Sequence, residues 1–233
     1  MLRIERDGLV REVFRSGRQA PLSLLPAGPG RVLRRSRSAR STETEALTMR
    51  HVAAHGYPVP EVFDADGPDI VMQRIDGRTM LDDMSTRPWS MTAMARMLAE
   101  LIERLGRVPL PDHDLPLVGD GGALVHLDLH PGNVMLIAAG PVVIDWSNAA
   151  VGAEGLDAAN TWLTLTAGQP EGSLMMRSVV TVGRRLFVNR FVAATDRDLA
   201  TRQLPAALEL RLCDTNQSAA ELAAMRSLVD RVT

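Results

Sequence analysis

Lysine is absent from this 233-residue chain, and all 26 of its basic side chains are arginine. Any chemistry that relies on an ammonium group to grip phosphate oxygens must therefore be done here by something else. Cysteine is nearly absent too. The single Cys213 excludes an internal disulfide and suits a reducing compartment, and it is expected to behave as a small buried apolar residue. The formal charge of −2 leaves no overall basic field for nucleic acid and no acidic tail. No apolar run approaches a membrane span, so no membrane partner is expected. The first residues, MLRIERDGLVREVF, scatter charge through what would have to be the apolar segment of a signal peptide, and the expected location is the cytoplasm. Aromatics make up 3% of the chain, and none interleaves with Arg31, Arg34, Arg35, Arg37 and Arg40. That run reads as a solvated turn and helix start, with no nucleic acid as partner.

What is present has a clear order. Leu9 to Phe14, Ala20 to Leu25 and Arg31 to Arg35 read as short strands separated by Ser16-Gly17 and by a Pro/Gly-rich turn. A helix is expected from Thr42 to His55, ended by Gly56 and Pro58. Val62 to Asp64 and Asp69 to Gln73 read as two more strands. Beyond Gly77 the pattern turns helical. Ser90 is placed to cap a helix whose Met94, Met97, Leu98, Leu101 and Leu105 share one face, its methionines filling core. Further apolar stretches run at Leu156–Leu165, Leu174–Val182, Leu186–Ala194 and Leu204–Leu212.

Between these halves lies LVHLDLHPGNVMLIAAGPVVIDW, residues 124–146. It sets His126, Asp128, Asn133 and Asp145 in fixed order around two apolar runs. Phosphoryl transfer asks for that set: one carboxylate to take an acceptor hydroxyl's proton, and an amide with a second carboxylate to hold magnesium on nucleotide phosphates. The pattern His-x-Asp-x-x-x-x-Asn, then an apolar strand ending in Asp, is that of a kinase catalytic loop and metal-binding Asp.

HLDLHPGN followed by VVIDW resembles the aminoglycoside phosphotransferase and choline kinase superfamily, small-molecule kinases related to protein kinases. Leu127 stands where protein kinases carry Arg, and Asp145-Trp146-Ser147 where they carry Asp-Phe-Gly. The resemblance implies an α+β, bilobal protein kinase-like fold. Residues 1–75 would be a nucleotide-binding lobe with a small antiparallel sheet and one main helix. Residues 76–233 would be a mostly helical lobe holding the catalytic loop, 124–147. It implies transfer of the γ-phosphoryl group of ATP or GTP to a hydroxyl of a small molecule, dependent on Mg2+, with Asp128 as catalytic base and Asn133 and Asp145 as metal ligands. Acceptors in the superfamily include aminoglycosides, choline, ethanolamine, homoserine and sugars. The charges after Trp146 are mixed, with Arg184, Arg185 and Arg190 beside Glu154, Asp196 and Asp198, which argues mildly against an aminoglycoside.

The remaining site residues follow from the same resemblance. His126 and His130 are expected as loop scaffold, and Asp157, in GLDAANTWL, as a buttress of the loop or a helix cap. Relatives carry Lys at the end of the strand read here as VLRRS. Alternation makes Arg34 rather than Arg35 the inward residue, and a guanidinium can hold phosphate oxygens bidentately. Glu45 would pair with Arg34, with Glu43 as the second candidate and a capping box from Thr42 to Glu45 as the competing reading. Ser16 and Gly17 mark a reduced phosphate-covering loop. Met72, Gln73 and Ile75 resemble the segment that meets adenine, with the Gln73 carbonyl and Ile75 amide as base contacts.

A second reading is a pseudokinase, a nucleotide-binding or structural module without turnover. It draws on the missing lysine, the thin phosphate loop and a tail that is short for the superfamily. Retention of Asp128, Asn133 and Asp145 speaks against it.

Overall fold

In the computed structural model the described residues are 23–26, 29–36, 41–167, 174–214 and 217–233. The strand expected at Leu9–Phe14, and Ser16 and Gly17 after it, lie outside them. Strands β1 (Ser23–Pro26), β2 (Arg31–Arg35), β3 (Val62–Asp66) and β4 (Asp69–Gln73) form an antiparallel sheet in the order β1-β2-β4-β3. Gly30 and Gly67 take left-handed φ values of 66° and 52° in the turns before β2 and between β3 and β4, a conformation that costs any side chain with a Cβ.

Helix α1 (Glu43–Ala54) packs on β3 of this sheet and buries Ala46, Thr48, Met49 and Val52. Its start is not closed by the capping box. The Thr42 hydroxyl donates instead to the carbonyls of Asp69 (2.9 Å) and Gly67 (3.3 Å), pinning the helix to the β3–β4 turn. Glu45 is thereby left for another partner.

After β4 the chain enters β5 (Arg78–Thr79) and a short helix α2 (Met80–Thr86), capped by the Thr79 hydroxyl at the Asp82 amide, 3.0 Å. Helix α3 (Met91–Gly106) buries Leu98, Leu101 and Leu105 as the periodicity predicts, with Met94 and Met97 half-buried beside them. Ser90 does not cap it. Its hydroxyl donates 2.8 Å to the Arg87 carbonyl, closing a single 3-10 turn over Pro88–Ser90.

Two small sheets then carry the central motif. Strand β7 (Ala123–Val125) pairs antiparallel with β10 (Ala150–Gly152), which pairs parallel with β6 (Leu117–Val118). Strands β8 (Val134–Ile137) and β9 (Gly140–Val143) form a hairpin with β5 on its edge. Residues 126–133 therefore bridge one sheet to the other, and Asp145 follows the end of the hairpin.

Four helices complete the described chain: α4 (Leu156–Ala167), α5 (Leu174–Ala194), α6 (Arg197–Leu212) and α7 (Ala219–Val232). Helix α4 packs on α6, α7 and α5, and α5 also packs on α3. The two apolar stretches expected around Arg184 and Arg185 are one helix, α5. At Gly183 it approaches α3 so closely that an added Cβ would stand 3.1 Å from Met91 Cε. Cys213, expected inside, is exposed at the end of α6, where the chain leaves the core.

Candidate active site

The loop from His126 to Asn133 is held in shape by one face of α4. Asp157 accepts from the backbone N–H of His126 and of Leu127, each at 2.7 Å. One turn on, Asn160 donates to the Leu127 carbonyl, and Thr161 donates 2.6 Å to the Leu129 carbonyl. The spacing i, i+3, i+4 sets these polar side chains on one helical face. All are buried. Burial pushes the Asp157 carboxyl above the ordinary carboxylate range, opposed by His126 and by the two amide donors. So Asp157 is a buttress, placed one residue inside α4 and turned to the loop rather than to its own helix.

That support holds strained backbone. Leu127 sits at φ 61° and Asp145 at φ 63°, the non-glycine residues with positive φ among those described. Such strain persists only where surrounding bonds over-determine it, and it clusters at functional sites.

Asp128 is buried, and its two oxygens are addressed from different sides. Asn133 Nδ2 donates to Oδ2 at 3.1 Å and to the Asp128 carbonyl at 2.8 Å. Arg211 Nη2, from the last turn of α6, reaches Oδ1 at 3.3 Å. His130 Nε2 stands 3.7 Å from Oδ2. With acceptors on both sides of Asn133 Nδ2, the amide orientation is fixed, and the Asn133 Oδ1 is turned away as a hard donor.

His126 accepts from the Asp128 amide on Nδ1 (3.3 Å), so Nε2 carries the proton and donates to the Ile144 carbonyl at 3.1 Å. That bond ties the loop to the residue before Asp145. His130 accepts from the Gly132 amide on Nδ1 at 3.0 Å. Burial holds the His130 imidazole below its ordinary value, with Asp128 opposing. Both rings thus serve the backbone. Trp146 fills the space behind, buried between His126 and an edge-on Tyr57.

Across from this loop stands Arg34. It is 4% exposed, whereas Arg35 points outward to Asp69. Arg34 Nη2 pairs with Glu45 of α1, and Nη1 lies 3.4 Å from Asp145 Oδ1. Glu43 is exposed and takes no part. Burial lowers the Arg34 pKa and Asp145 raises it. Arg34 Nε is buried with no hydrogen-bond partner among the described residues, a donor in want of an acceptor. Asp145 Oδ1 also accepts from the Ser147 hydroxyl, 2.9 Å.

Met72, Gln73 and Ile75 stand apart from this cluster, at and just beyond the end of β4. Met72 is opposite Val32 in the sheet, two places along from the Ile70 that faces Arg34. The Gln73 amide is spent on the Glu61 carbonyl (2.7 Å), and the Arg74 amide on Gly30 (2.9 Å). The structure thus brings Asp128, Asn133, Asp145, Arg34 and Glu45 together from β2, α1, the loop and the end of the hairpin. Sequence reasoning missed Asn160, Thr161 and Arg211. The first two were readable in principle, as buried polar residues a helical turn beyond Asp157. Arg211 had no local signal.

Among the described residues no group of three or more His, Cys, Asp or Glu could hold a metal by itself, and no helix is long and apolar enough to cross a membrane. One amide and one carboxylate are nonetheless what a nucleotide-borne magnesium uses, since phosphate and water supply its other ligands.

The sequence profile of the phosphotransferase enzyme family (APH) matches residues 14–120 and 110–204. No curated protein sequence matches. Among solved structures, aminoglycoside phosphotransferase APH(4)-Ia, in a ternary complex with AMP-PNP and hygromycin B, is similar at TM-score 0.62 and 17% identity over 96% of this chain and 92% of that one. The Plasmodium vivax ethanolamine kinase aligns at TM-score 0.56 and 8% identity over 94% and 81%. Amicoumacin kinase hAmiN, in complex with AMP-PNP, Ca2+ and Ami, aligns at TM-score 0.52 and 14% identity over 96% of this chain and 88% of that one. These likenesses give the fold, a bilobal α+β kinase-like architecture. With the profile spanning most of its length, the chain belongs to the phosphotransferase enzyme family, as a kinase-type phosphotransferase.

Proposed function

We propose that this enzyme transfers the γ-phosphoryl group of ATP or GTP to a hydroxyl of a small molecule, with Asp128 as catalytic base. The observation that carries the reading is the pairing of Asp128 with Asn133 in the loop and of Asp145 with Arg34 after the hairpin, the two pairs joined by the bond from the Ile144 amide to the Asn133 carbonyl, 3.0 Å. In this reading the acceptor hydroxyl lies against Asp128, which orients it and takes its proton as the phosphoryl group moves. Magnesium, when bound, neutralises charge on the nucleotide phosphates. Asn133 Oδ1 and the Asp145 carboxylate would hold it there.

Arg34 takes the role that relatives give to lysine. Its unpartnered Nε and its Nη1 offer donors on two separate edges of the guanidinium for phosphate oxygens, and Glu45 keeps the guanidinium in place. Asp145 would exchange its contact with Arg34 for the metal. The adenine would meet the chain at Gln73 and Ile75, with Met72 behind it, and Ser16 and Gly17 would cover the phosphates. The boundary between the nucleotide-binding lobe and the helical lobe lies at 75/76, between β4 and β5.

The test is transfer itself. Purified protein with Mg-ATP or Mg-GTP is offered aminoglycosides, amicoumacin, choline, ethanolamine, homoserine and sugars, and release of nucleoside diphosphate is followed. Acceptor-stimulated release, lost in Asp128→Asn, is the expected result. Equal release from wild type and Asp128→Asn on a stimulating acceptor would refute the assignment.

A further inference from the structure

We propose that Arg211 is a positioning residue for Asp128, holding its carboxylate in transfer geometry from outside the catalytic loop. The inference rests on Asp128 as the base and adds a residue of α6 to the machinery.

The residue beside Asp128 in sequence is the apolar Leu127, and the loop's own His130 stands 3.7 Å from Oδ2, beyond hydrogen-bond reach. The cation arrives 83 residues later in sequence, from α6. Arg211 is buried, and its guanidinium spreads over three acceptors. Nε donates to Asn160 Oδ1 at 2.7 Å, while Nη2 stands 3.3 Å from both Asp128 Oδ1 and the Leu127 carbonyl. Nη1 lies 3.8 Å from Asp214 Oδ2.

Two consequences follow from that fork. First, the Asp128 oxygens are divided, Oδ1 to Arg211 and Oδ2 to Asn133, which fixes the carboxylate plane. Second, the Leu127 carbonyl takes donors from Asn160 and Arg211 together, so the left-handed turn that aims Asp128 is clamped from α4 and α6 at once. A buried carboxylate needs such compensation, and a planar guanidinium holds Asn160 through Nε while Nη2 meets Asp128 and Leu127, a fixed span that an ammonium cannot cover. Misplacing a reacting group by about an ångström costs roughly 100-fold in rate. Arg211 therefore acts through Asp128 and does not touch the nucleotide.

The experiment uses the full chain and Mg-ATP hydrolysis, with water as acceptor giving ADP and inorganic phosphate. Arg211→Ala, Arg211→Lys and Asp128→Asn are compared with wild type, with and without dilute guanidinium chloride. Arg211→Ala is expected to lose about 10- to 100-fold in kcat with little change in KM for Mg-ATP. Guanidinium should restore part of that kcat in Arg211→Ala and none in Asp128→Asn. Arg211→Lys should fall between the two. Wild-type kcat in Arg211→Ala beside an inactive Asp128→Asn would overturn the role of Arg211 alone. Joint loss of nucleotide binding and turnover, without rescue, would mark Arg211 as merely structural. Wild-type kcat in Asp128→Asn would instead overturn the base assignment beneath it. Amide hydrogen exchange across 126–133 reads the same clamp without turnover. It should quicken in Arg211→Ala and slow again with guanidinium, and unchanged exchange would overturn the proposal.

Discussion

Arg34 on β2 and Asp145 after β9 are 111 residues apart in sequence, and their side chains stand 3.4 Å apart across the cleft. The same guanidinium pairs with Glu45 of α1. One cation thus ties sheet, helix and metal-binding candidate together, and its removal has separable effects on folding and binding.

Truncating Arg34 leaves Glu45, whose side chain is 9% exposed, as an uncompensated carboxylate. Breaking such a pair costs about 3–5 kcal/mol, whereas replacing both members by apolar residues is often neutral. Arg34→Ala is therefore expected to lower the unfolding midpoint in urea sharply, and Arg34→Met with Glu45→Leu to restore most of it. Both should lose nucleotide affinity, which calorimetry reads. Equal stability of the single and double variants would remove the ion pair from the account of the fold.

Asp157 gives the second prediction. Asp157→Ala leaves the His126 and Leu127 amides buried without their acceptor, at roughly 1–3 kcal/mol for each unsatisfied group. We expect a stability loss of about 2–6 kcal/mol on that basis, with Asp157→Asn losing less because one acceptor oxygen remains. Thermal unfolding measures both. A loss below that seen in a surface substitution would contradict the buttress.

The third prediction concerns pH. Burial lowers the His130 pKa from its ordinary 6.5, while Asp128 and Asp145 raise it and Arg211 and His126 lower it. The unfolded chain then binds the proton first. Stability from this group is full above pH 6.5 and is lost as pH falls from there through the lowered folded value. Asp157, whose carboxyl is raised, contributes with the opposite sign at lower pH. Comparing wild type with His130→Asn, which keeps an acceptor for the Gly132 amide, isolates the histidine. The variant should lose less stability between pH 7 and 5, and parallel curves would reject the assignment.

Asp128 gives the fourth. Asp128→Asn keeps the side-chain volume and removes the proposed base. Loss of a general base costs roughly 10²–10⁴-fold in kcat. Nucleotide affinity should barely move. A fall in affinity as large as the fall in turnover would assign Asp128 to binding rather than proton transfer.

How much of this was legible in the sequence divides along physical lines. Asp128, Asn133 and Asp145 lie in one contiguous stretch whose spacing is set by a loop and a hairpin, so local pattern suffices. The inward turn of Arg34 follows from strand alternation alone. Glu45 was ambiguous because Thr42 and Glu45 have capping-box spacing. The tie broke only when the Thr42 hydroxyl met the carbonyls of Gly67 and Asp69, a contact between distant segments. Arg211 was out of reach for the same reason: nothing around it in α6 marks it, and its role exists only once α6 packs on α4. The apolar stretches Leu174–Val182 and Leu186–Ala194 fall in one helix, α5, because the charged pair Arg184 and Arg185 between them does not interrupt a helix. Ser90 stands at the N-cap position but spends its hydroxyl on the Arg87 carbonyl three residues back, and Cys213 was misplaced because it falls at the exposed end of α6.

The most direct measurement is calorimetric titration of the purified protein with ATP and with GTP, each with and without magnesium, beside Asp145→Ala. The account predicts binding that requires magnesium and disappears in Asp145→Ala. Failure to bind either nucleotide would contradict the role given to Arg34 and leave a pseudokinase as the better description, and magnesium-independent binding unaffected by Asp145→Ala would contradict the metal site itself.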